Sequence, residues 1–269
     1  ASGGMEGVHL HRDKKEHCEI TLYAPDGRQD YKGGFGDEIR GHGNSTWLFD
    51  KKGYNLYMAA PVDLLSMGAA DRWVLLANAY DETNLRNKTV LDFARSIEGY
   101  DGFSPECEYI DLYLNGEYSG LYLICKSISS LGTELWEREE EGFCMELTQS
   151  TKLDALDAAI KLPVPEYLEI KYPESCLPSQ RQRLEAVVAA FEAATADGGT
   201  GLADCIDYDS WARKLLVEEV FANYDAACFS QYFSGSMDEG RMYAGPCWDY
   251  DLSMGIFYVD WSSPRCLVT

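Results

Sequence analysis

The chain has 269 residues, of which 46% are hydrophobic and 13% aromatic. This composition excludes a disordered chain, and the length is enough for one large domain or for two lobes that share a cleft. The formal net charge is -22, so the protein should repel phosphate backbones and anionic lipid, and nucleic acid and membrane surfaces are poor partners. A basic or cation-bridged protein partner suits this surface better, although acidity for solubility alone explains the charge equally well.

The first half of the chain predicts a β-rich region that is interrupted by one helix. Leu85, Val90 and Phe93 recur at roughly helical spacing, which predicts a helix that begins near Asp81 or Thr83 and continues to residue 97. Five runs that are rich in aromatic, branched or long apolar residues predict strands. They cover residues 19–24, 54–58, 72–77, 108–114 and 118–125, and Asn115-Gly116 between the last two is typical of a type I′ hairpin.

The second half predicts mainly helices. The acidic segment 134–141 is expected to be a solvated loop, and two short strands are expected at 143–147 and 168–172. One helix follows Pro178, another is expected over 211–224, and a glycine-rich loop at 198–201 separates them. Their apolar faces predict ordinary core; these faces comprise Leu184, Val187, Val188, Phe191 and Ala194 in the first helix, and Trp211, Leu215, Val217, Val220, Phe221 and Tyr224 in the second.

These elements predict an α+β fold with two lobes, a β-rich N-terminal lobe and a mainly helical C-terminal lobe. Ligands often bind between such lobes. Residues 1–17 are expected to be an N-terminal extension or an engineered remnant, 18–128 the first lobe and 129–269 the second. No apolar run approaches the roughly 18 residues needed to span a bilayer, and no signal peptide is visible at Ala1, although a removed export signal stays open.

The spacing of the cysteines and the positions of the histidines argue against several kinds of site. The nine cysteines include no CxxC pair, which argues against a zinc ribbon or a thioredoxin-type motif, and Cys125 and Cys144 lie in apolar runs typical of buried residues. A Ser-His-Asp hydrolase or a Cys-His protease would need one of four early histidines, and no GxSxG pattern occurs. The histidines are His9, His11, His17 and His42.

Two carboxylates alternate with two aromatic residues in the segment Trp248-Asp249-Tyr250-Asp251, just after a short β-prone run at 241–244. On an extended backbone, side chains at i and i+2 share a face, so Asp249 and Asp251 are expected to point the same way, opposite to the aromatic pair. Paired oxygen donors with room for substrate phosphates are typical of magnesium or manganese sites. A solvated acidic strand end is the alternative.

The segment Arg40-Gly41-His42-Gly43-Asn44-Ser45-Thr46-Trp47 joins two β-like stretches, and its glycines let backbone amides approach an anion closely. It indicates either a phosphate-binding loop or only a turn. Lys51-Lys52 follows and leads into the strand that begins at Tyr54. A lysine there could neutralise phosphate charge, although a lysine pair usually lies on the surface.

Asp225 lies at the end of the predicted helix 211–224. A carboxylate at a helix C-terminus opposes the helix dipole, so a functional role is one interpretation of its presence. The start of a turn is the other.

Seven segments follow one another along the chain and together resemble one family. They are Arg40-Gly41-His42-Gly43-Asn44-Ser45-Thr46-Trp47, Lys51-Lys52-Gly53-Tyr54, Trp73-Val74-Leu75-Leu76-Ala77-Asn78, Asp81 through Leu85-Arg86-Asn87, Leu114-Asn115-Gly116-Glu117-Tyr118-Ser119-Gly120-Leu121-Tyr122, Asn223-Tyr224-Asp225 and Trp248-Asp249-Tyr250-Asp251. In this order they resemble the motifs of the CotH kinase family, which is named for a spore coat protein. The resemblance covers about residues 18–257, and the shared order makes it specific.

The resemblance implies an atypical protein-kinase fold that uses ATP and magnesium or manganese to phosphorylate hydroxyl side chains of secreted, cell-surface or spore-coat proteins, outside the cytoplasm. It implies neither nucleic-acid binding nor membrane insertion. Asp225 would be the catalytic carboxylate, and Asp249 and Asp251 would hold the metal. Nucleotide binding would fall to Arg40, Gly43, Asn44, Ser45, Lys52, Arg86 and Trp248, with Asn87 bracing the cleft beside Arg86. This division suits phosphoryl transfer, which needs mainly positioning and charge neutralisation.

Three features depart from the family pattern. Lys126 stands where a glutamate is expected after the Gly-x-Tyr strand, and Ser230 stands where many relatives place asparagine, so Gln231 is an alternative source of a metal ligand. Relatives are also expected to continue with further helices beyond the final motif. The leading hypothesis, from the resemblance, is a CotH-type Ser/Thr kinase. The departures favour the alternative, which is a pseudokinase or a structural or binding module of a coat or surface assembly.

Overall fold

The computed structural model describes residues 3–34, 36–136, 141–149, 159–162, 166–226 and 229–256. Both strands and helices form in these ranges, so the α+β prediction is confirmed. The chain divides into two compact units. The first unit comprises Ala1–Lys88 and Glu106–Ser130, and the second unit comprises Thr89–Pro105 and Leu131–Thr269.

The first unit is built on a six-stranded antiparallel sheet with the strand order β1-β4-β5-β6-β8-β7. A two-stranded antiparallel sheet, β2-β3, and a short helix accompany it. The elements are α1 (Gly4–Leu10), β1 (Glu16–Cys18), β2 (Thr21–Tyr23), β3 (Gln29–Lys32), β4 (Asp37–His42), β5 (Gly53–Asp63), β6 (Ala69–Leu76), β7 (Cys107–Leu114) and β8 (Glu117–Lys126).

The main apolar cluster of the first unit lies on one face of this sheet, because side chains at alternate strand positions share a face. Leu56 on β5 lies opposite Trp73 on β6, and both are buried. Tyr122 joins them from β8, and Val8 joins them from α1, where it is completely buried. Burial of each such large apolar side chain stabilises the fold by about 1.5–3 kcal/mol.

The second unit contains a five-stranded antiparallel sheet with the strand order β10-β11-β9-β12-β13. Two long helices and one short helix follow β11 in sequence. The elements are α2 (Arg86–Ser96), which begins at the end of the first unit, α3 (Ile128–Trp136), β9 (Gly142–Gln149), β10 (Ala159–Lys161), β11 (Glu166–Tyr172), α4 (Pro178–Ala196), α5 (Leu202–Cys205), α6 (Tyr208–Val220), β12 (Gln231–Ser236) and β13 (Tyr243–Ala244).

The apolar face of α4 packs on this second sheet, as the sequence predicts. Leu184 and Val188 of the helix are buried in one cluster with Phe143 and Met145 of β9. The prediction of a type I′ hairpin is also confirmed, because Asn115-Gly116 connects β7 to β8 with positive φ at both residues. Within the described ranges, no helix combines the length and the apolar character that a membrane span requires.

Three predictions about elements are wrong. The second half contains the five strands of one sheet, where only two short strands were expected. Helix α2 begins at Arg86, later than predicted, because residues 81–84 form turns and Asn84 has a φ of +57°. The acidic segment does not begin as a loop, since α3 continues to Trp136; residues 137–140 of that segment lie outside the described ranges.

Candidate nucleotide and metal site

The predicted nucleotide-covering loop joins β4 to β5. Arg40 lies on β4, Gly43 has a φ of +93°, and Ser45–Leu48 form a 3-10 helix. The guanidinium group of Arg12 donates hydrogen bonds to the carbonyl oxygen of Gly43 (3.1 Å) and to Oδ1 of Asn44. Arg12, which lies in the N-terminal segment, therefore stabilises the tip of this loop.

The two lysines that follow the loop are held by backbone carbonyl groups. Lys52 Nζ donates to the carbonyl oxygens of Trp47 (2.8 Å) and Phe49 (2.9 Å) and lies 4.9 Å from the centre of the Trp47 ring. Lys51 Nζ donates to the carbonyl oxygen of Leu121 (2.5 Å), and burial lowers the pKa of Lys51. Lys52 thus stabilises the loop, and its contact with phosphate stays a prediction.

Gly43 is a position where this loop tolerates substitution poorly. Gly43→Ala should lower the free energy of unfolding by about 1–3 kcal/mol, because alanine is strained at this φ and its Cβ would lie 2.1 Å from Thr46 Oγ1. Urea unfolding measures the loss. Gly27→Ala is the matched control, since Gly27 has a φ of +81° and a Cβ there meets nothing within 4 Å. Equal losses in the two variants would show that the Thr46 contact contributes nothing.

Three cations surround the ring of Tyr57 on β5. Lys15 Nζ lies 3.6 Å from the ring centre, Arg72 Cζ lies 5.4 Å from it and Arg40 Cζ lies 5.8 Å from it. Lys15 is also paired with Glu38 (3.3 Å). The Nε–H group of Arg40 is buried and has no hydrogen-bond acceptor within the described ranges. Because an unsatisfied buried donor is costly, this group fits an anionic ligand such as a phosphate oxygen.

Contacts of Arg86 and Asn87 stabilise the start of α2. The Arg86 side chain pairs with Asp81, which also accepts hydrogen bonds from the Arg86 N–H (2.8 Å) and from the Thr83 N–H and hydroxyl group (3.1 and 2.6 Å). Burial alone would raise the pKa of Asp81, but the hydrogen bonds from Thr83 and Arg86 outweigh it and hold the pKa below its ordinary value. Asn87 Nδ2 donates to Asn78 Oδ1 (2.9 Å). Nucleotide binding by Arg86 stays a prediction.

The predicted catalytic carboxylate lies in a turn of the second unit. Helix α6 ends at Val220, earlier than predicted, and Ala222 has a φ of +45°, so Asp225 does not sit at the helix C-terminus. The argument from the helix dipole therefore fails. The backbone N–H of Asp225 donates to Oδ1 of Asn223 (3.3 Å), and its carbonyl oxygen accepts from the N–H of Phe229 (3.1 Å).

The prediction that residues 248–251 are extended is wrong. Strand β13 comprises only Tyr243–Ala244, and Asp249 has a φ of +66°, a left-handed conformation that aspartate tolerates better than most residues do. The argument from i, i+2 spacing therefore does not place Asp249 and Asp251 on one face. Asp249 is half-buried and its Oδ2 accepts a hydrogen bond from Ser230 Oγ (2.9 Å), whereas Asp251 is buried.

The donors around this segment suit a hard cation. Two carboxylates and the Ser230 hydroxyl group offer only oxygen, which is the ligand that magnesium prefers. Within the described ranges there is no group of three or more His, Cys, Asp or Glu side chains that could hold a metal ion. Asp249 and Asp251 therefore fit a magnesium or manganese ion that takes its remaining ligands from phosphate oxygens and water. Trp248 is buried, and its contact with nucleotide stays a prediction.

A buried polar network includes Tyr250, the residue between these two carboxylates. Lys214 and Glu218, one turn apart on α6, form an ion pair. The Tyr250 hydroxyl group accepts from Lys214 Nζ (2.7 Å) and donates to Glu218 Oε1 (2.9 Å), and Asn223 Nδ2 donates to Glu218 Oε2 (2.7 Å). None of the four residues is more than 7% exposed. We call these four residues the α6 network.

The sequence interpretation missed this network because it assigned only apolar side chains of α6 to the core; of these, Val217 is completely buried, as expected. Leu215, Val220 and Tyr224 were expected to be buried, but each is about half exposed (48%, 55% and 58%). The buried face carries Lys214 and Glu218 beside Val217. Charged side chains are rarely buried unless they are paired, so the i, i+4 spacing of a lysine and a glutamate was the available signal.

Comparison with known proteins finds one family over most of the chain. A family model described as CotH kinase protein matches residues 39–263, which include every predicted site residue. A comparison with curated proteins finds no match.

Proposed function

Because the chain belongs to the CotH kinase family, we propose that it is an atypical protein kinase that transfers the γ-phosphoryl group of ATP to serine or threonine hydroxyl groups in a metal-dependent reaction. The two-lobed kinase-like arrangement predicted from the sequence is part of this proposal. In the second unit, the main support for the kinase proposal is that Asp225 and Asp249 both lie on irregular segments and that a hydrogen bond anchors each of them. The Asp225 backbone N–H donates to Asn223, and the Asp249 carboxylate accepts from Ser230.

Asp225 would act on the acceptor hydroxyl group. As the hydroxyl oxygen forms a bond to the γ-phosphorus, the bond from that phosphorus to the bridging oxygen of ADP breaks, and the Asp225 carboxylate takes the hydroxyl proton. The Arg40 guanidinium group, whose Nε–H has no acceptor within the described ranges, would donate to a phosphate oxygen. The loop that begins at Gly43 would cover the nucleotide.

Asp249 and Asp251 would hold the magnesium or manganese ion. When bound, the ion neutralises charge that develops on the phosphate oxygens. The hydrogen bond from Ser230 to Oδ2 orients the Asp249 carboxylate. Ser230 would therefore orient a ligand and would not need to supply one.

The protein substrate would be a coat, cell-surface or secreted protein, and the kinase would act outside the cytoplasm. The family name supports a coat association. The net charge of -22 favours a basic acceptor segment, because opposite charges raise the rate of encounter.

A pseudokinase that binds nucleotide without transfer is the second candidate. Two observations favour it: Lys126 is buried where the family pattern expects a glutamate, and Ser230 replaces an expected asparagine and is bonded to Asp249. A purely structural coat component, without nucleotide binding, is the third candidate.

The deciding experiment follows labelled γ-phosphate from ATP to a basic test protein in the presence of Mg²⁺ or Mn²⁺. The parent protein should incorporate label, and Asp225→Asn should reduce incorporation at least about a hundredfold, because the isosteric amide cannot accept the hydroxyl proton. Asp209→Asn is the control, since Asp209 lies on α6 in the same unit and its side chain is 81% exposed.

The outcomes separate the three candidates. Incorporation that is lost only in Asp225→Asn supports the kinase. Metal-dependent ATP binding by calorimetry, without incorporation, indicates the pseudokinase. Absence of ATP binding leaves the structural role.

A further inference from the structure

The segments that carry the three carboxylates are not held by regular secondary structure. Asp225 lies in a turn, and residues 245–250 form neither helix nor strand. No ladder of backbone hydrogen bonds therefore sets the position of these segments, and individual hydrogen bonds to neighbouring groups must do so. Phosphoryl transfer depends on position, since a displacement of about 1 Å can cost a hundredfold in rate.

The α6 network reaches both segments. Asn223 donates to Glu218 through Nδ2 and accepts the backbone N–H of Asp225 through Oδ1. Tyr250, which lies between Asp249 and Asp251 in sequence, bonds to the same glutamate. A continuous path of hydrogen bonds therefore connects the backbone of Asp225 to the residue between the two metal ligands.

Backbone hydrogen bonds link the same pieces of chain. The N–H of Met254 donates to the carbonyl oxygen of Phe221 (2.7 Å), and the N–H of Asn223 donates to the carbonyl oxygen of Glu218 (3.1 Å). The segment after α6 and the segment after Asp251 are thus joined directly as well as through the network. Helix α6 is the common support of both.

An ion pair in this position is not explained by stability alone. Replacement of a buried ion pair by apolar residues of similar volume is often neutral or stabilising, so such a pair is weak evidence of a stabilising role. The Tyr250 hydroxyl group lies between the two charges, since it accepts from Lys214 Nζ (2.7 Å) and donates to Glu218 Oε1 (2.9 Å). Glu218 is the common acceptor of the network, since Lys214, Tyr250 and Asn223 all donate to its carboxylate.

We propose that the α6 network is a positioning device for phosphoryl transfer, which holds Asp225 in a fixed place relative to Asp249 and Asp251. The inference rests on the proposed kinase function. None of the four residues is assigned to contact substrate or metal. They act through the segments that they hold.

Tyr250→Phe tests the proposal, because it removes only the hydroxyl group. It should lower kcat about tenfold or more and leave the KM for ATP nearly unchanged, since position and not nucleotide affinity is affected. Tyr31→Phe is the matched control: the Tyr31 hydroxyl group also donates to a carboxylate, Asp37 (2.8 Å), but lies in the first unit. It should leave kcat unchanged and lower thermal stability to a similar extent.

Two variants of α6 separate position from stability. Lys214→Met combined with Glu218→Gln removes both charges at similar volume, and it should remain folded yet lose at least tenfold in kcat. Lys214→Arg keeps a cationic donor and should retain more activity than the double variant. Full activity in the double variant, or a loss in Tyr31→Phe as large as that in Tyr250→Phe, would overturn the proposal.

Hydrogen exchange provides a test that does not need transfer. The backbone amides of Asp225 and Met254 should exchange about tenfold faster in Tyr250→Phe than in the parent or in Tyr31→Phe, because the segments open locally. Unchanged exchange at both amides overturns the inference. If the parent protein transfers no phosphate, the kinase proposal fails, and the exchange result still decides whether the network holds the two segments together.

Discussion

Asp249→Asn is expected to lower the rate of phosphoryl transfer by about a thousandfold or more, because it removes one of two carboxylates assigned to the metal and leaves charge on the phosphates uncompensated. Asp251→Asn should act in the same way. Single-turnover transfer at saturating ATP measures the rate, and calorimetry with Mn²⁺ and ATP measures binding. Both variants should bind the metal–nucleotide complex more weakly than the parent does.

Two controls make this result specific to the metal ligands. Asp238→Asn alters an exposed carboxylate beyond β12 in the same unit, where its partner is Arg183, and should leave transfer unchanged. Ser230→Ala removes only the hydrogen bond to Asp249 and should cost less than about tenfold, as expected for the loss of one neutral hydrogen bond. If Asp249→Asn binds Mn²⁺ and ATP as tightly as the parent, Asp249 is not a metal ligand.

The residues of the candidate site were named from the sequence and stay a prediction, whereas the local backbone shape around Asp249 could not be predicted. The order of the motifs identified the family, and the family model includes every residue proposed for the site. The local argument that Asp249 and Asp251 share a face assumed an extended backbone, whereas Asp249 is left-handed. The irregular segment is connected to distant residues on α6, a tertiary interaction that short-range periodicity does not report.

In the fold, too, features that depend on residues close in sequence were predicted, whereas features that depend on distant residues were not. The Asn115-Gly116 turn and the apolar face of α4 were predicted because each depends on residues that are close in sequence. The five-stranded sheet of the second unit was underestimated because β12 pairs with β9 across a long stretch of chain. The buried face of α6 was only partly predicted, because the ion pair of Lys214 and Glu218 lies there beside Val217, and Tyr250, which bonds to both charges, is distant in sequence.

The second large expected effect is a loss of stability on substitution of Asp81. Asp81→Ala is expected to lower the free energy of unfolding by about 2–4 kcal/mol, because it leaves the Arg86 side chain without its buried counter-charge and removes the acceptor for three further donors. Urea unfolding at neutral pH measures the loss. Asp71→Ala is the control, since Asp71 is exposed and should change stability by no more than about 0.5 kcal/mol.

The pH dependence of the difference in unfolding free energy between the parent and Asp81→Ala tests whether the charge of Asp81 causes the loss. The pKa of Asp81 is held below its ordinary value of 3.8 in the folded protein, so the unfolded chain takes up the proton first as the pH falls. The stability that ionised Asp81 contributes is therefore fully present above pH 3.8 and is lost as the pH falls through the lower, folded pKa. The gap in unfolding free energy between the parent and Asp81→Ala should be constant near neutral pH and should narrow in acid. A gap that stayed constant down to pH 2 or so would show that packing, and not the charge that holds Thr83 and Arg86, accounts for the loss.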